Sequence, residues 1–281
     1  MSYLLKINLN FRCGQIMKNL QGKVVWITGA SSGIGKALAS TLASLGAQIV
    51  LSARRFEELE SVRTSLPNQE QHLSVAMDIT NEAQVRHAYE QVLAQKGRID
   101  WLINNAGLSQ RALIAETSMQ TERAIMEIDY FSQVFLTKLM LPTFIAQKSG
   151  RIVFVSSVAG LLGTQYRASY SAAKAAIHMW ANSLRAEVAQ DGIGVSVLFP
   201  GFVQTSVSIN ALNGEGKAQG YDNEATANGL TAEEFSNQAV KALIKGQEYI
   251  VVGGGKEKLG VFVSRLSPTT LYKMIRKMKV K

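Results

Sequence analysis

Between Lys23 and Val252 the chain alternates short apolar runs with longer stretches whose apolar residues return every three or four positions. The runs Val24–Thr28, Gln48–Ser52, Leu73–Met77, Trp101–Asn104, Arg151–Ser156, Gly194–Phe199 and Tyr249–Val252 are rich in Val and Ile. They lack polar alternation, as strands covered by helices on both faces do. Gly35–Leu45, Glu82–Gln95, Thr121–Gln147 and Tyr170–Ala189 carry the helical period instead. Strands alternating with helices predict right-handed crossovers, hence an α/β fold: a parallel, doubly wound sheet of about seven strands with helices on both faces. No linker-like stretch or short repeat interrupts the run, which predicts a single domain over residues 19–255.

Composition narrows the class. With 47% apolar residues among 281, 23 glycines and four prolines, the chain has the makings of a large core and not of a disordered one. No apolar run reaches the roughly 18 residues needed to span a bilayer. The single cysteine, Cys13, has no internal partner, and the first residues lack a clean signal-peptide pattern, so a reducing cytoplasm is expected. Residues 1–18 read as an N-terminal extension outside the fold. The formal charge of +9 sits at the ends: Lys6, Arg12 and Lys18 near the start, and eight Lys or Arg against Glu257 over 256–281. The body between is close to neutral, which excludes a nucleic-acid-binding face. His72, His87 and His178 have no mutual spacing suited to a metal, and no metal is implied.

Directly after the first strand comes Thr28-Gly29-Ala30-Ser31-Ser32-Gly33-Ile34-Gly35, then a helix. Glycines at such a turn let backbone approach a pyrophosphate, and the helix N-terminus supplies unpaired N–H groups and the positive end of its dipole. The end of the second strand distinguishes the dinucleotides: a carboxylate there binds the ribose 2′-OH of NAD, an arginine the 2′-phosphate of NADP. Ser52-Ala53-Arg54-Arg55 has no carboxylate, and Arg54 offers a planar fork of donors. NADP(H) is therefore expected, with Arg55 opening the next helix.

Six motifs now stand in order: Thr-Gly-x-x-x-Gly-x-Gly at 28–35, Asp78, Asn104-Asn105-Ala106-Gly107, Ser157, Tyr170-x-x-x-Lys174 and Pro200-Gly201. Together they resemble the short-chain dehydrogenase/reductase family over roughly residues 20–253, with its Rossmann-like fold. The resemblance implies Asp78 near the adenine and Asn104 shaping the cofactor pocket with Ala106 and Gly107. It places Val203 to Thr205, beyond Pro200-Gly201, near the nicotinamide amide. It also implies a homodimer or homotetramer.

The chemistry of carbonyl reduction asks for a hydride on carbon and a proton on oxygen. A phenol, with a reference pKa of about 10, exchanges protons poorly near neutrality. Lys174, four residues beyond Tyr170 and on the same helix face, would favour the phenolate and could also hold the nicotinamide ribose. Ser157, thirteen residues before Tyr170, ends a strand and could donate to the substrate oxygen. Ser156 competes for that role; the family register favours Ser157. No Gly-x-Ser-x-Gly elbow surrounds it. Where many family members carry an asparagine that holds a water in a proton path, Asp129 stands here. Ionised, it would offset the Lys174 charge; it could instead accept hydrogen bonds from that water.

After Pro200-Gly201 a polar stretch, about 202–231, reads by family analogy as a substrate lid. Val203, Val207, Ile209, Leu212, Leu161 and Leu162 could give it apolar contacts, so a moderately apolar ketone, aldehyde or alcohol is the expected substrate. In the tail, 256–281, Leu271, Ile275 and Met278 lie opposite Lys273, Arg276, Lys277 and Lys279. Such a basic amphipathic helix can rest on an anionic membrane surface, or cover its own domain or a subunit contact. The rival reading is a nucleotide-binding regulator of the same fold without turnover, for which Asp129 is the only support.

Overall fold

The computed structural model describes residues 20–222 and 224–277. The extension 1–18 with Cys13, and Met278, Lys279 and Lys281 of the tail, lie outside them.

Nine strands occur among the described residues: β1 Val24–Thr28, β2 Gln48–Ala53, β3 Leu73–Ala76, β4 Trp101–Asn104, β5 Gly150–Val155, β6 Ile193–Pro200, β7 Val203–Gln204, β8 Leu230–Thr231 and β9 Tyr249–Val252. Seven form one parallel sheet in the order β3-β2-β1-β4-β5-β6-β9. The short pair β7–β8 forms a second sheet that periodicity did not foretell. Helices α1 Gly33–Ser44, α2 Phe56–Ser65, α3 Glu82–Lys96, α4 Met119–Met126, α5 Ser132–Gln147, α6 Ala168–Glu187, α7 Glu224–Ala227, α8 Ala232–Ile244, α9 Gly255–Leu266 and α10 Pro268–Lys277 complete the chain.

The sheet divides the apolar interior into two layers. Trp26, Leu102, Phe154 and Phe199 face α3, α5 and α6, where Val92, Phe144 and Ile177 meet them. Val25, Ile27, Ile49 and Leu198 face the other side, against Leu38 and Leu42 of α1 and Phe235 and Leu243 of α8. Every β1 residue is buried, which is why its sequence shows no alternation. The strand order reverses between β1 and β4, so the carboxyl ends of these two strands open a crevice, the usual ligand site of a doubly wound sheet.

Two expectations need adjustment. The single helix foreseen over 121–147 is α4 and α5 joined by a π-helical turn, Glu127–Phe131. The widened turn arises from backbone pairing, which leaves no mark on apolar spacing. The tail is less separate than its charge suggested: Val261 of α9 and Leu271 of α10 are buried in the main core, with Ile275 packed against it. That apolar stripe covers its own domain. Among the described residues no helix is long and apolar enough to cross a membrane.

Candidate active site

The crevice is built first from glycine. Gly29 and Gly33 take positive φ, 65° and 53°, a region that strains other residues. A Cβ at Gly29 would stand 2.9 Å from the Cα of Ala106, and one at Gly33 would stand 3.1 Å from Cγ2 of Thr205. The turn thus packs against the chain following β4 and β7. Thr28 ties it there: its Oγ1 accepts from the backbone N–H groups of Asn105, 3.1 Å, and Ala106, 3.0 Å. Asn105 returns the contact, donating from Nδ2 to the carbonyls of Thr28 and Gly29. Ser32 is the N-cap of α1, but its side chain makes no capping bond, so the first-turn N–H groups of Gly33, Ile34 and Gly35 point onward without a side-chain partner. This cradle fits dinucleotide phosphates, with bare donors and no Cβ in the way. Ser31 flanks it, half-buried, while Ile34 packs inward against the core.

Arg54 and Asp78 leave neighbouring strands, since Ala53 pairs with Ala76 and Met77 donates to the Ala53 carbonyl. Arg55 is held by Glu58 at 2.6 Å. Arg54 is exposed and forms no ion pair among the described residues. Asp78 holds its own turn, accepting from N and Oγ1 of Thr80 at 2.9 and 2.8 Å.

Beyond β4 and β5 stand the groups expected to do chemistry. Lys174 is buried, its side chain 4% exposed, and Nζ donates to the carbonyl of Val155 at 3.1 Å. The same ammonium lies 5.7 Å from the Tyr170 ring centroid. A Cβ at Gly107 would stand 2.7 Å from Asp129 Oδ1 and 3.0 Å from Lys174 Nζ, so the glycine leaves this charged pair room. The two serines divide their roles. Ser156 Oγ donates to the Lys174 carbonyl at 2.8 Å and anchors α6 to β5. Ser157 Oγ accepts from Ala159 N–H and reaches the Pro200 carbonyl only at 3.5 Å, a weak bond that leaves its proton available.

Asp129 sits in the π turn, fully buried. Its Oδ1 accepts from the Leu108 N–H at 2.8 Å and faces Lys174 Nζ at 3.6 Å, while Oδ2 has no partner. Burial pushes its carboxyl above the usual range, against the pull of Lys174 and the Leu108 bond. Asn104 is buried with Nδ2 on Thr137, and its Oδ1 is also unpartnered.

Some roles were not visible in the sequence. Thr28 and Asn105 belong to quoted motifs, yet their part, clamping the glycine turn to β4, shows only in the hydrogen bonds. Gln133 donates to the Ala106 carbonyl at 3.1 Å. Tyr170 acts electrostatically on both Arg111 and Arg167. They come from unrelated loops, and no spacing could have joined them. The lid is anchored: Arg111 N–H donates to the Leu212 carbonyl, and Ser118 N–H to Gly214. Val203 belongs to the core, whereas Val207 and Ile209 are exposed. Leu162 is buried and touches α9, where a Cβ at Gly260 would meet it at 3.0 Å. Glu257 of α9 accepts from the Phe202 N–H at 3.3 Å, which ties the tail to the root of the lid. The histidines serve the packing: His72 bridges Ile49 N–H and the Pro67 carbonyl, and His178 stands edge-on to Phe199.

The short chain dehydrogenase family model matches residues 23–216. A "Dehydrogenase/reductase SDR family protein 7-like" of Drosophila melanogaster is 35% identical over 99% of this chain and 87% of its own. Among solved structures, a short-chain dehydrogenase from Streptomyces avermitilis superposes with TM-score 0.75 at 28% identity, covering 91% of this chain and 98% of that one. A 3-ketoacyl-(acyl-carrier-protein) reductase from Brucella melitensis complexed with NADH gives TM-score 0.72 at 25% identity, over 85% of this chain and all of that one.

Proposed function

The chain belongs to the short-chain dehydrogenase/reductase family of oxidoreductases, and on that premise we propose that it is an NADP(H)-dependent carbonyl reductase or alcohol dehydrogenase acting on a ketone, aldehyde or secondary alcohol. One observation carries the reading. A buried ammonium, Lys174, held by the Val155 carbonyl, lies 5.7 Å from the Tyr170 ring centroid at the carboxyl edge of the sheet.

Gly29, Ser31, Ser32, Gly33, Ile34 and Gly35 would hold the dinucleotide phosphates. Asp78 would lie at the adenine, with Asn104, Ala106, Gly107, Pro200, Gly201, Val203 and Thr205 around the nicotinamide end. The Brucella neighbour is complexed with NADH; here the unpaired Arg54 at the end of β2 supports NADP(H) instead. When bound, the cofactor supplies hydride to the carbonyl carbon. Ser157 Oγ donates a hydrogen bond to the substrate oxygen as negative charge grows there. Tyr170 gives its hydroxyl proton to that oxygen, leaving a phenolate that the Lys174 charge stabilises. In oxidation the same phenolate takes the alcohol proton. Asp129 accepts hydrogen bonds behind Lys174 and moderates its charge.

The test is a panel of ketones and aldehydes followed by NADPH absorbance. Turnover of any member supports the enzyme. Tight NADPH binding with no turnover across the panel favours the regulator, a reading that the available Ser157 hydroxyl opposes.

The surroundings proposed are cytoplasmic, with a homodimer or homotetramer as the assembly, to be checked by light scattering. A specific observation also favours membrane contact. Although Leu271 is buried, Leu259, Phe262, Leu266 and Tyr272 are exposed beside Lys256, Lys258, Arg265 and Lys273. Such a surface matches an anionic bilayer. Full-length protein should float with liposomes rich in anionic lipid, and Phe262→Asp should abolish flotation; equal flotation of both proteins removes the proposal.

A further inference from the structure

Two arginines stand beside Tyr170 with no ion pair among the described residues. Arg167 is the N-cap of α6, three residues ahead of Tyr170, and its guanidinium carbon lies 5.0 Å from the centroid of the Phe202 ring at the root of the lid. Arg111 comes from the loop after β4, where the lid crosses it at Leu212. The two loops are stitched together, since Ala112 N–H donates to the carbonyl of Tyr166, a residue held at a positive φ of 64° just before Arg167. The Nε atoms of both arginines are wholly buried and unpartnered, and neither guanidinium forms a hydrogen bond or ion pair among the described residues.

The charge around Arg167 is one-sided. The first turn of α6 holds no acidic residue, so the positive end of that helix adds to the two cations. Asp222 and Tyr221 of the lid act on Arg111. Arg167 has no such relief: burial pushes it down to about 10, the neighbouring Arg111 adds to the shift, and only the Tyr170 phenol opposes it. Two half-buried guanidiniums of like charge are stabilised when an oxyanion satisfies their forks, and carboxylates and phosphates match that planar geometry. The dinucleotide phosphates have their own cradle at Gly29–Gly35.

We infer that Arg111 and Arg167 form an oxyanion subsite beside Tyr170, so that the preferred substrate carries a carboxylate or phosphate as well as its carbonyl. The inference rests on the reading of the protein as a carbonyl reductase, and it adds an anionic end to an otherwise apolar substrate facing Val207 and Ile209.

The test compares keto acids with their neutral esters: 2-oxo-4-phenylbutanoate and 5-oxohexanoate against the corresponding ethyl esters, on the full chain with NADPH. Wild type should favour at least one acid over its ester. Arg167→Met and Arg111→Met should raise KM for that acid about 10- to 100-fold with kcat nearly kept, and should change the ester less than about threefold. Arg167→Lys should recover part of the loss. If the arginines only tuned Tyr170 or held the loops, acid and ester would suffer together, and that result overturns the inference. A rise in melting temperature with the same acid, absent in Arg167→Met, reports binding without turnover. Acid-dependent stabilisation with no reduction of any compound keeps the subsite and sinks the reductase reading. Reduction of esters and acids alike, unaffected by either variant, does the reverse. Inorganic phosphate at fixed ionic strength separates the two anions: competition against the acid alone marks a phosphate-sized site, and its absence a carboxylate site.

Discussion

Two buried aspartates at opposite ends of the sheet show how differently one side chain is used. Asp100 precedes β4 at the amino edge, where its carboxylate accepts from Val24 N–H, Lys23 Nζ and two nitrogens of Arg98 at 2.6 to 3.1 Å. Burial alone would raise its pKa, yet these partners outweigh burial and hold it below the usual range. Asp129 at the carboxyl edge has one hydrogen bond and a lysine at 3.6 Å, and there burial prevails. The Asp100 carboxylate is satisfied from within the chain, although Trp101 Nε1 beside it has no partner. The carboxyl edge is left with unpartnered atoms on Asn104, Arg111, Asp129, Gln133 and Arg167. A carboxylate that serves the fold has its bonds met, and one beside a candidate site keeps an oxygen able to meet a ligand.

The sharpest way to break this contrast is to remove the proton donor. Tyr170→Phe should lower turnover by roughly 10²- to 10⁴-fold, with NADPH affinity by fluorescence titration and melting temperature unchanged. Near-normal turnover would remove Tyr170 from the mechanism. The matching change at the amino edge should do the opposite: Asp100→Ala should cost about 3 kcal/mol in denaturant unfolding, through loss of a buried, paired carboxylate, while kcat of the folded protein stays close to wild type. Its pH signature follows from the depressed pKa. The Asp100 contribution is present above the unfolded value and is lost as pH falls through the folded one, so the gap between wild type and Asp100→Ala should close in acid.

Smaller effects sharpen the carboxyl edge. Arg54→Ala should cut the preference for NADPH over NADH by about 10- to 100-fold, the worth of charge-assisted bonds to a phosphate; an unchanged ratio of dissociation constants would place the 2′-phosphate elsewhere. Asp129→Asn takes away a charge that offsets Lys174, so the alkaline limb of the pH–rate profile should move to lower pH by about one unit or less. Superimposable profiles would show that Asp129 does not moderate Lys174.

What the sequence disclosed is what short-range order encodes. Strands buried on both faces wrote themselves as apolar runs, and the glycine turn and the Tyr170–Lys174 pair lie within single elements. The features it hid are those made by separate segments meeting. The π turn that carries Asp129 depends on backbone pairing. The Arg111–Arg167 pair needs two loops brought side by side, and α9 reads from its composition as a loose basic tail although Val261 is buried in the core. Periodicity reports which way a residue faces, not what stands opposite it.

The Glu257 carboxylate reaching the Phe202 N–H makes the C-terminal helices a doorpost on which the substrate loop is hung. Whatever binds those helices, whether a lipid sheet or a second subunit, would therefore have a mechanical line to the mouth of the pocket, and the setting of the protein in the cell could decide how readily that door swings.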